Sequence, residues 1–272
     1  MACVISSISM KGGVGKTTSL LCLGTGLADR GKKVLMLDLD AQGSLSIAMG
    51  CDYPDRCPVT MAEIFQIMKD TQDSADAVRG ILSVSENLAY IPASRKMALT
   101  EQALSMTEGG ERVLLKILSE LSRCGKEYDY ILLDCSPSFG MITVNALTAS
   151  DWVLIPTQTE YLAAKGMEQL LQTVIQVRWK YNGNLKILGI LPTMANLYTR
   201  DAKQVLKLLT DTYGESIGIL PAVPYSVRAK EISSRQESIY KLDKGGKVAE
   251  AYLALVSEVL RRTEAGAGGQ TG

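Results

Sequence analysis

The 272-residue sequence has no histidine, and only two phenylalanines and two tryptophans. Without imidazole the commonest general base is missing, so any hydrolytic chemistry must rest on carboxylates, lysines, backbone N–H groups and a bound cation. Net charge is absent too, with 29 basic residues against 29 acidic, so no whole-chain basic signal points to nucleic acid. No apolar run approaches the ~18 residues of a membrane span. None of the six cysteines (Cys3, Cys22, Cys51, Cys57, Cys124 and Cys135) forms a Cys-x-x-Cys pair, which leaves no zinc framework. Reduced thiols are expected, with Cys3, Cys22 and Cys135 in apolar elements; Cys51 and Cys57 flank a short loop and are placed to pair under oxidation. The first core strand begins at residue 2, which leaves no secretory leader, and a soluble cytoplasmic protein is expected.

Charge is unevenly spread. Residues 1–175 carry fifteen basic and twenty acidic side chains, whereas residues 176–247 carry twelve and six, which permits a basic surface in the last third. The apolar runs Ala2 to Ser9, Lys33 to Leu39, Tyr128 to Asp134, Trp152 to Pro156 and Lys186 to Thr193 alternate with helical patterns. Continuous apolar strands separated by helices predict an α/β fold: a mostly parallel twisted sheet with helices on both faces. A short strand at Ile219 to Val223, a helix opened by a Thr60/Glu63 capping box, and packing roles for Met97 and Met106 are also expected. One domain is read from residue 1 to 262, followed by an unstructured glycine-rich tail over 263–272.

Between the first strand and the first helix stands Met10-Lys11-Gly12-Gly13-Val14-Gly15-Lys16-Thr17-Thr18. Glycines in such a loop let successive N–H groups turn inward on an anion, and the following helix adds its positive end. Lys16 is then placed for β- and γ-phosphates, and the Thr17 hydroxyl for Mg²⁺. The second strand ends in Asp38-Leu39-Asp40, two carboxylates pointing the same way at the sheet edge where ligands collect. The next strongly apolar strand ends in Asp134, the position from which a carboxylate holds Mg²⁺ beside a phosphate loop.

Lys11 to Thr18 resembles the deviant Walker A loop of the ParA/MinD superfamily of P-loop ATPases. Asp38 to Gly43 is similar to that family's D-x-D-P-Q-G with Ala41 for proline, Asp134 to Ser138 to its D-C-P-P-S with Ser136 for proline, and Val223 to Arg228 to its V-P-R-N-V-R. The resemblance implies ATP and Mg²⁺ as ligands, Asp40 orienting the attacking water, Asp38 supporting the metal shell with Thr17 and Asp134, and Lys11 reaching the phosphates of a second subunit. It implies that Pro224 and Ser226 lie against adenine, and that Arg228, with Lys230, Arg235 and Lys247, binds non-specific DNA. The partition branch is favoured by residues 145–156. It implies a homodimer formed on ATP, a nucleoid-associated location and a ParB-like centromere-binding protein that stimulates hydrolysis. The alternative is a MinD-like protein cycling on a membrane, for which the sequence shows no terminal lipid-facing helix.

Overall fold

The computed structural model describes residues 2–70, 78–196 and 198–267. Seven strands form one sheet: β1 (Cys3–Ser7), β2 (Val34–Leu39), β3 (Leu82–Ser83), β4 (Leu88–Ile91), β5 (Tyr130–Cys135), β6 (Trp152–Gln158) and β7 (Lys186–Thr193), in the order β3-β4-β2-β5-β1-β6-β7. Every pairing is parallel except that of β3 with β4. Because side chains alternate along a strand, each strand feeds two cores. Leu35, Leu37, Ile131 and Leu133 face one layer, while Val34, Met36, Tyr130 and Leu132 face the other.

The first layer is covered by α3 (Met61–Asp70), α4 (Met97–Ser105), α5 (Val113–Arg123), α6 (Met141–Ala149) and α7 (Tyr161–Lys180). The second is covered by α1 (Lys16–Ala28), α9 (Val227–Arg235), α10 (Ile239–Leu242) and α11 (Lys247–Ala267). The remaining helices are α2 (Ser44–Ala48) and α8 (Arg200–Tyr213). Thr60 and Glu63 meet at the start of α3, where the Thr60 N–H donates to Glu63 Oε2 at 3.0 Å and the Thr60 hydroxyl donates to the same carboxylate.

α1 carries the phosphate loop on its amino end, so its seating fixes the site. Two glycines let it sink between sheet and helices. A Cβ on Gly24 would lie 2.8 Å from Met36 Sδ, and one on Gly26 would lie 2.6 Å from both the Tyr240 hydroxyl and a Val256 methyl. Gly26→Ala is therefore expected to destabilise the protein by roughly 1–3 kcal/mol through overpacking, read as a lower denaturant midpoint.

Four expectations are corrected. Residues 219–223 run beside β7 but form only single bridges, Ile190 to Ile219 and Ala195 to Pro224, because Pro192 and Pro221 lack the N–H a continuous ladder needs. Met97 is buried, yet Met106 is 80% exposed, since α4 ends one residue before it. Residues 70–86, which the sequence reads as a polar connection with one short helix, hold a two-residue strand, β3, while 71–77 lie outside the described residues. The proposed tail boundary at 262 falls inside α11, which runs to Ala267. Thr263 and Glu264 dock, the former's hydroxyl 2.8 Å from the Tyr130 hydroxyl, the latter 3.0 Å from Lys32 Nζ. Residues 268–272 lie outside the described residues.

Candidate nucleotide site

Strand register assembles the site. Asp38 of β2 pairs with Asp134 of β5, and Asp134 with Ser7 of β1, so three neighbouring strands end level at the carboxyl edge of the sheet. The loop leaving β1 then curls over that edge, with Gly13 and Gly15 at φ 73° and 83°, a region open to glycine at little cost. Thr193, at the end of β7, donates its hydroxyl to the Val14 carbonyl at 2.7 Å, and Gln158, at the end of β6, donates to the Gly13 carbonyl at 3.2 Å. With these carbonyls tied back, loop N–H groups are left to face a ligand.

Lys16 is buried and donates to Ser9 Oγ at 3.1 Å, which holds the ammonium over the loop. The Thr17 hydroxyl donates to Asp134 Oδ2 at 2.7 Å. Asp134 Oδ1 is buried with no hydrogen-bond partner. An orphaned carboxylate oxygen beside a hydroxyl and a phosphate loop is a hard, anionic donor set, which fits Mg²⁺. Burial, and then the neighbouring Asp38, push Asp134 up to about 7, against opposing pulls from Thr17 and Lys16. Burial likewise raises Asp38 to about 6.

Both carboxylate oxygens of Asp38 accept hydrogen bonds within the protein. Its Oδ1 accepts the Asp40 N–H at 3.2 Å, and its Oδ2 accepts the Ser46 N–H at 2.8 Å and the Ser46 hydroxyl at 2.6 Å. It thereby holds the turn after β2 against α2. Asp40 is half-buried in that turn and accepts the Gln42 N–H at 3.0 Å. Lys11 does not point into its own loop: its Nζ lies 2.8 Å from Glu160 Oε2, with both side chains about half exposed, 54% and 55%.

Gly12 packs beside Pro137, and Thr18 enters α1 facing a small cavity of about 60 Å³ that Gly15, Met194, Pro224 and Ser226 also line. Pro224 and Ser226 are thus brought to the loop, although the Ser226 hydroxyl caps α9 by accepting the Arg228 N–H at 3.1 Å. An adjoining cleft of about 330 Å³ is lined by Tyr198, Tyr225, Ser226, Asp243 and Lys247.

The basic residues are only partly gathered. Lys247 donates to the Tyr198 hydroxyl at 3.4 Å, and Lys230 stands over the Tyr225 ring at 5.1 Å, so both border this cleft. Arg228 is engaged by Asp243 at 3.1 Å and by the Leu242 carbonyl at 3.2 Å, which ties α9 to α10. Arg235 sits near the far end of α9, 3.0 Å from Glu231. Sequence reading missed Gln158, Glu160 and Thr193. The rule that ligands gather beyond the carboxyl ends of parallel strands marks the ends of β6 and β7 and could have found them. It also missed Arg200, Lys203 and Lys207, exposed on α8 at helical spacing beside Tyr198.

A protein-family model described as an AAA domain matches residues 2–187. The sporulation initiation inhibitor protein Soj of Bacillus subtilis is 37% identical over 261 residues, covering 95% of this chain and 98% of that protein. The chromosome partitioning protein ParA of Caulobacter vibrioides is 33% identical, covering 95% and 94%. Among solved structures, the Mycobacterium smegmatis protein named cobyrinic acid a,c-diamide synthase, with bound ATP analog and magnesium, superposes with a TM-score of 0.82 at 31% identity, covering 98% and 97%. Relatives of this likeness over nearly the whole length, and a phosphate loop seated where three strands end, lead to one assignment: the chain belongs to the Soj/ParA-like family of P-loop ATPases.

Proposed function

We propose that this protein is a DNA-partition ATPase that binds ATP with Mg²⁺, dimerises in that state, binds DNA non-specifically and hydrolyses ATP when a centromere-binding partner stimulates it. The observation that carries the ATPase part is the Thr17–Asp134 hydrogen bond with its orphaned Oδ1 behind the loop. The partition part draws on the likeness to Soj and to the chromosome partitioning protein ParA.

Thr17 and Asp134 would hold Mg²⁺, which when bound neutralises charge on the β- and γ-oxygens. Lys16 binds those phosphates from within the subunit. Asp40, held by Asp38 at the rim, orients the attacking water and takes up its proton as the water oxygen bonds to the γ-phosphorus and the bond to the β–γ bridging oxygen breaks, releasing ADP. Lys11, half exposed and ion-paired at the rim, swings from Glu160 to the phosphates of a second copy, which links nucleotide to dimerisation. A dimer presents the basic surface twice, so DNA affinity rises through effective concentration without new contacts. That surface comprises Lys230, Lys247 and the exposed α8 face of Arg200, Lys203 and Lys207.

Membrane cycling is disfavoured by α11. Its apolar residues Val248, Tyr252, Leu255, Val256 and Val259 are 0–3% exposed, turned into the core rather than toward a lipid surface. No helix among the described residues is long and apolar enough to cross a membrane.

The test is binding to random-sequence duplex DNA across a salt series, with and without ATP–Mg²⁺. ATP-dependent binding is expected, with a log–log salt slope that falls by roughly 2 in the Lys203→Ala/Lys207→Ala double variant. Binding that ignores nucleotide, or a slope unchanged by the double variant, would overturn the proposed switch or the proposed surface respectively. Lys11→Ala is expected to keep ATP binding but lose ATP-dependent dimerisation, measured by light scattering.

A further inference from the structure

Of the six cysteines, Cys22 and Cys135 are buried, and burial pushes their thiols well above the usual range. Cys51 and Cys57 differ. Both are partly exposed, and their sulfurs lie 2.9 Å apart across the turn that follows α2. The main chain is pinned at both: the Cys51 N–H donates to the Ser46 carbonyl and the Cys57 N–H to the Pro54 carbonyl, each at 3.0 Å. Between them Asp55 is held by the Arg95 N–H at 2.9 Å and by Arg95 Nε at 3.2 Å. A disulfide bond is about 2.05 Å long, so the sulfurs close by about 1 Å with their backbone already in place.

The loop they bracket touches two parts of the molecule that the sequence keeps far apart. Pro54 packs on Gly43, where a Cβ would meet it at 3.2 Å, in the turn that carries Asp40. Asp52 accepts a 2.7 Å hydrogen bond from Gln236, the left-handed residue (φ 52°) that ends α9. Fixing this loop fixes the contact between the turn after β2 and the end of the basic helix.

We propose that Cys51 and Cys57 form a redox-active dithiol site, converted reversibly by small-molecule disulfides into an intramolecular disulfide that braces the loop between the Asp40 turn and α9. The exchange balances in two steps. The Cys51 sulfur gives its proton to solvent and attacks one sulfur of the small disulfide, breaking that S–S bond and releasing one thiolate. The Cys57 sulfur then loses its proton and attacks the Cys51 sulfur of the mixed disulfide, releasing the second thiolate. The protein loses two electrons and two protons, and the small disulfide becomes two thiols. Burial, then the hydrogen bond and charge of Cys51, push the Cys57 thiol up to about 12.

The site is independent of the nucleotide reading, and its test needs neither ATP nor DNA. The full chain is equilibrated in mixtures of reduced and oxidised glutathione, quenched with an alkylating agent and digested for mass mapping. The expected result is one peptide linkage joining Cys51 to Cys57, 2 Da lighter than the dithiol and fully reversed by excess reduced glutathione. Trypsin cleavage after the exposed Arg56 is expected to yield two fragments on a reducing gel and one band on a non-reducing gel. Closing so short a loop is expected to raise the melting temperature by roughly 4 °C in the native chain but not in Cys57→Ser. Glutathione adducts on Cys51 and Cys57 without an internal bond, or linkage to Cys124 instead, would overturn the site. An oxidised chain that melts no higher than the reduced one would overturn the brace.

Discussion

Asp40→Ala is expected to lower stimulated ATP turnover roughly 10²–10³-fold while leaving ATP–Mg²⁺ affinity within about threefold. The asymmetry follows from where the side chain sits. Lys16 and Asp134 are buried beneath the half-buried Thr17, whereas Asp40 stands on a turn held by Asp38 and closed by its own bond to the Gln42 N–H. A group there contributes to the orientation of water in the transition state and little to ground-state binding. Asp40→Asn separates charge from scaffold, because its amide oxygen still accepts the Gln42 N–H. Phosphate release at saturating ATP, with nucleotide titration by calorimetry, measures both quantities. A proportional loss of binding, or undiminished turnover, would remove Asp40 from the hydrolytic role.

The second large effect has opposite signs in two assays of one variant. Asp134→Asn is expected to weaken Mg²⁺-dependent ATP binding by roughly 10²-fold, yet to raise the stability of the nucleotide-free protein at pH 8 by about 1–3 kcal/mol. Asp134 and Asp38 pair side by side in register, both fully buried, with folded-state pKa values raised to about 7 and about 6. A carboxyl whose folded pKa is raised binds its proton more tightly in the folded state. Its stabilising contribution is therefore full below the unfolded value of 3.8 and is lost as pH rises through about 6 to 7. The native protein without nucleotide should melt several degrees lower at pH 8 than at pH 5.5, and Asp134→Asn should flatten that slope. Asparagine keeps an acceptor for the Thr17 hydroxyl but adds no charge. Scanning fluorimetry from pH 5.5 to 8.5 decides it: a variant less stable than the native chain at pH 8 would mean that the carboxylate is held by compensation elsewhere in the site.

Sequence and structure agree closely where chemistry is local. Thr60 and Glu63 announce their helix because an N-cap and its reciprocal acceptor lie within one turn, and the glycines around Val14 announce an anion loop because their backbone freedom is a property of the residues themselves. Agreement fails where a partner comes from elsewhere. Met106 has an apolar side chain and helical spacing, but whether it is covered depends on where α4 stops. Residues 263–267 read as the start of a glycine-rich tail, and it is contacts with Tyr130 and Lys32 on other elements that dock Thr263 and Glu264. Asp38 stands at a strand end in the sequence, and only the fold shows that Ser46 binds its Oδ2. Arg228 shows no partner in the local sequence, and the fold brings Asp243, fifteen residues on, to engage it.

By itself, the sequence determined the class of the fold, the phosphate loop and the three strand-end aspartates, because alternating apolar runs and glycine spacing act over a few residues of contiguous chain. Only the tertiary structure decided which groups those residues answer to. Parallel register set Asp38 beside Asp134, burial raised the proton affinity of both, and the ends of β6 and β7 brought Gln158 and Thr193 onto the loop and Glu160 onto Lys11. The physical reason is that charge, burial and hydrogen bonding depend on distance in space, which strand pairing fixes between residues that the chain holds far apart.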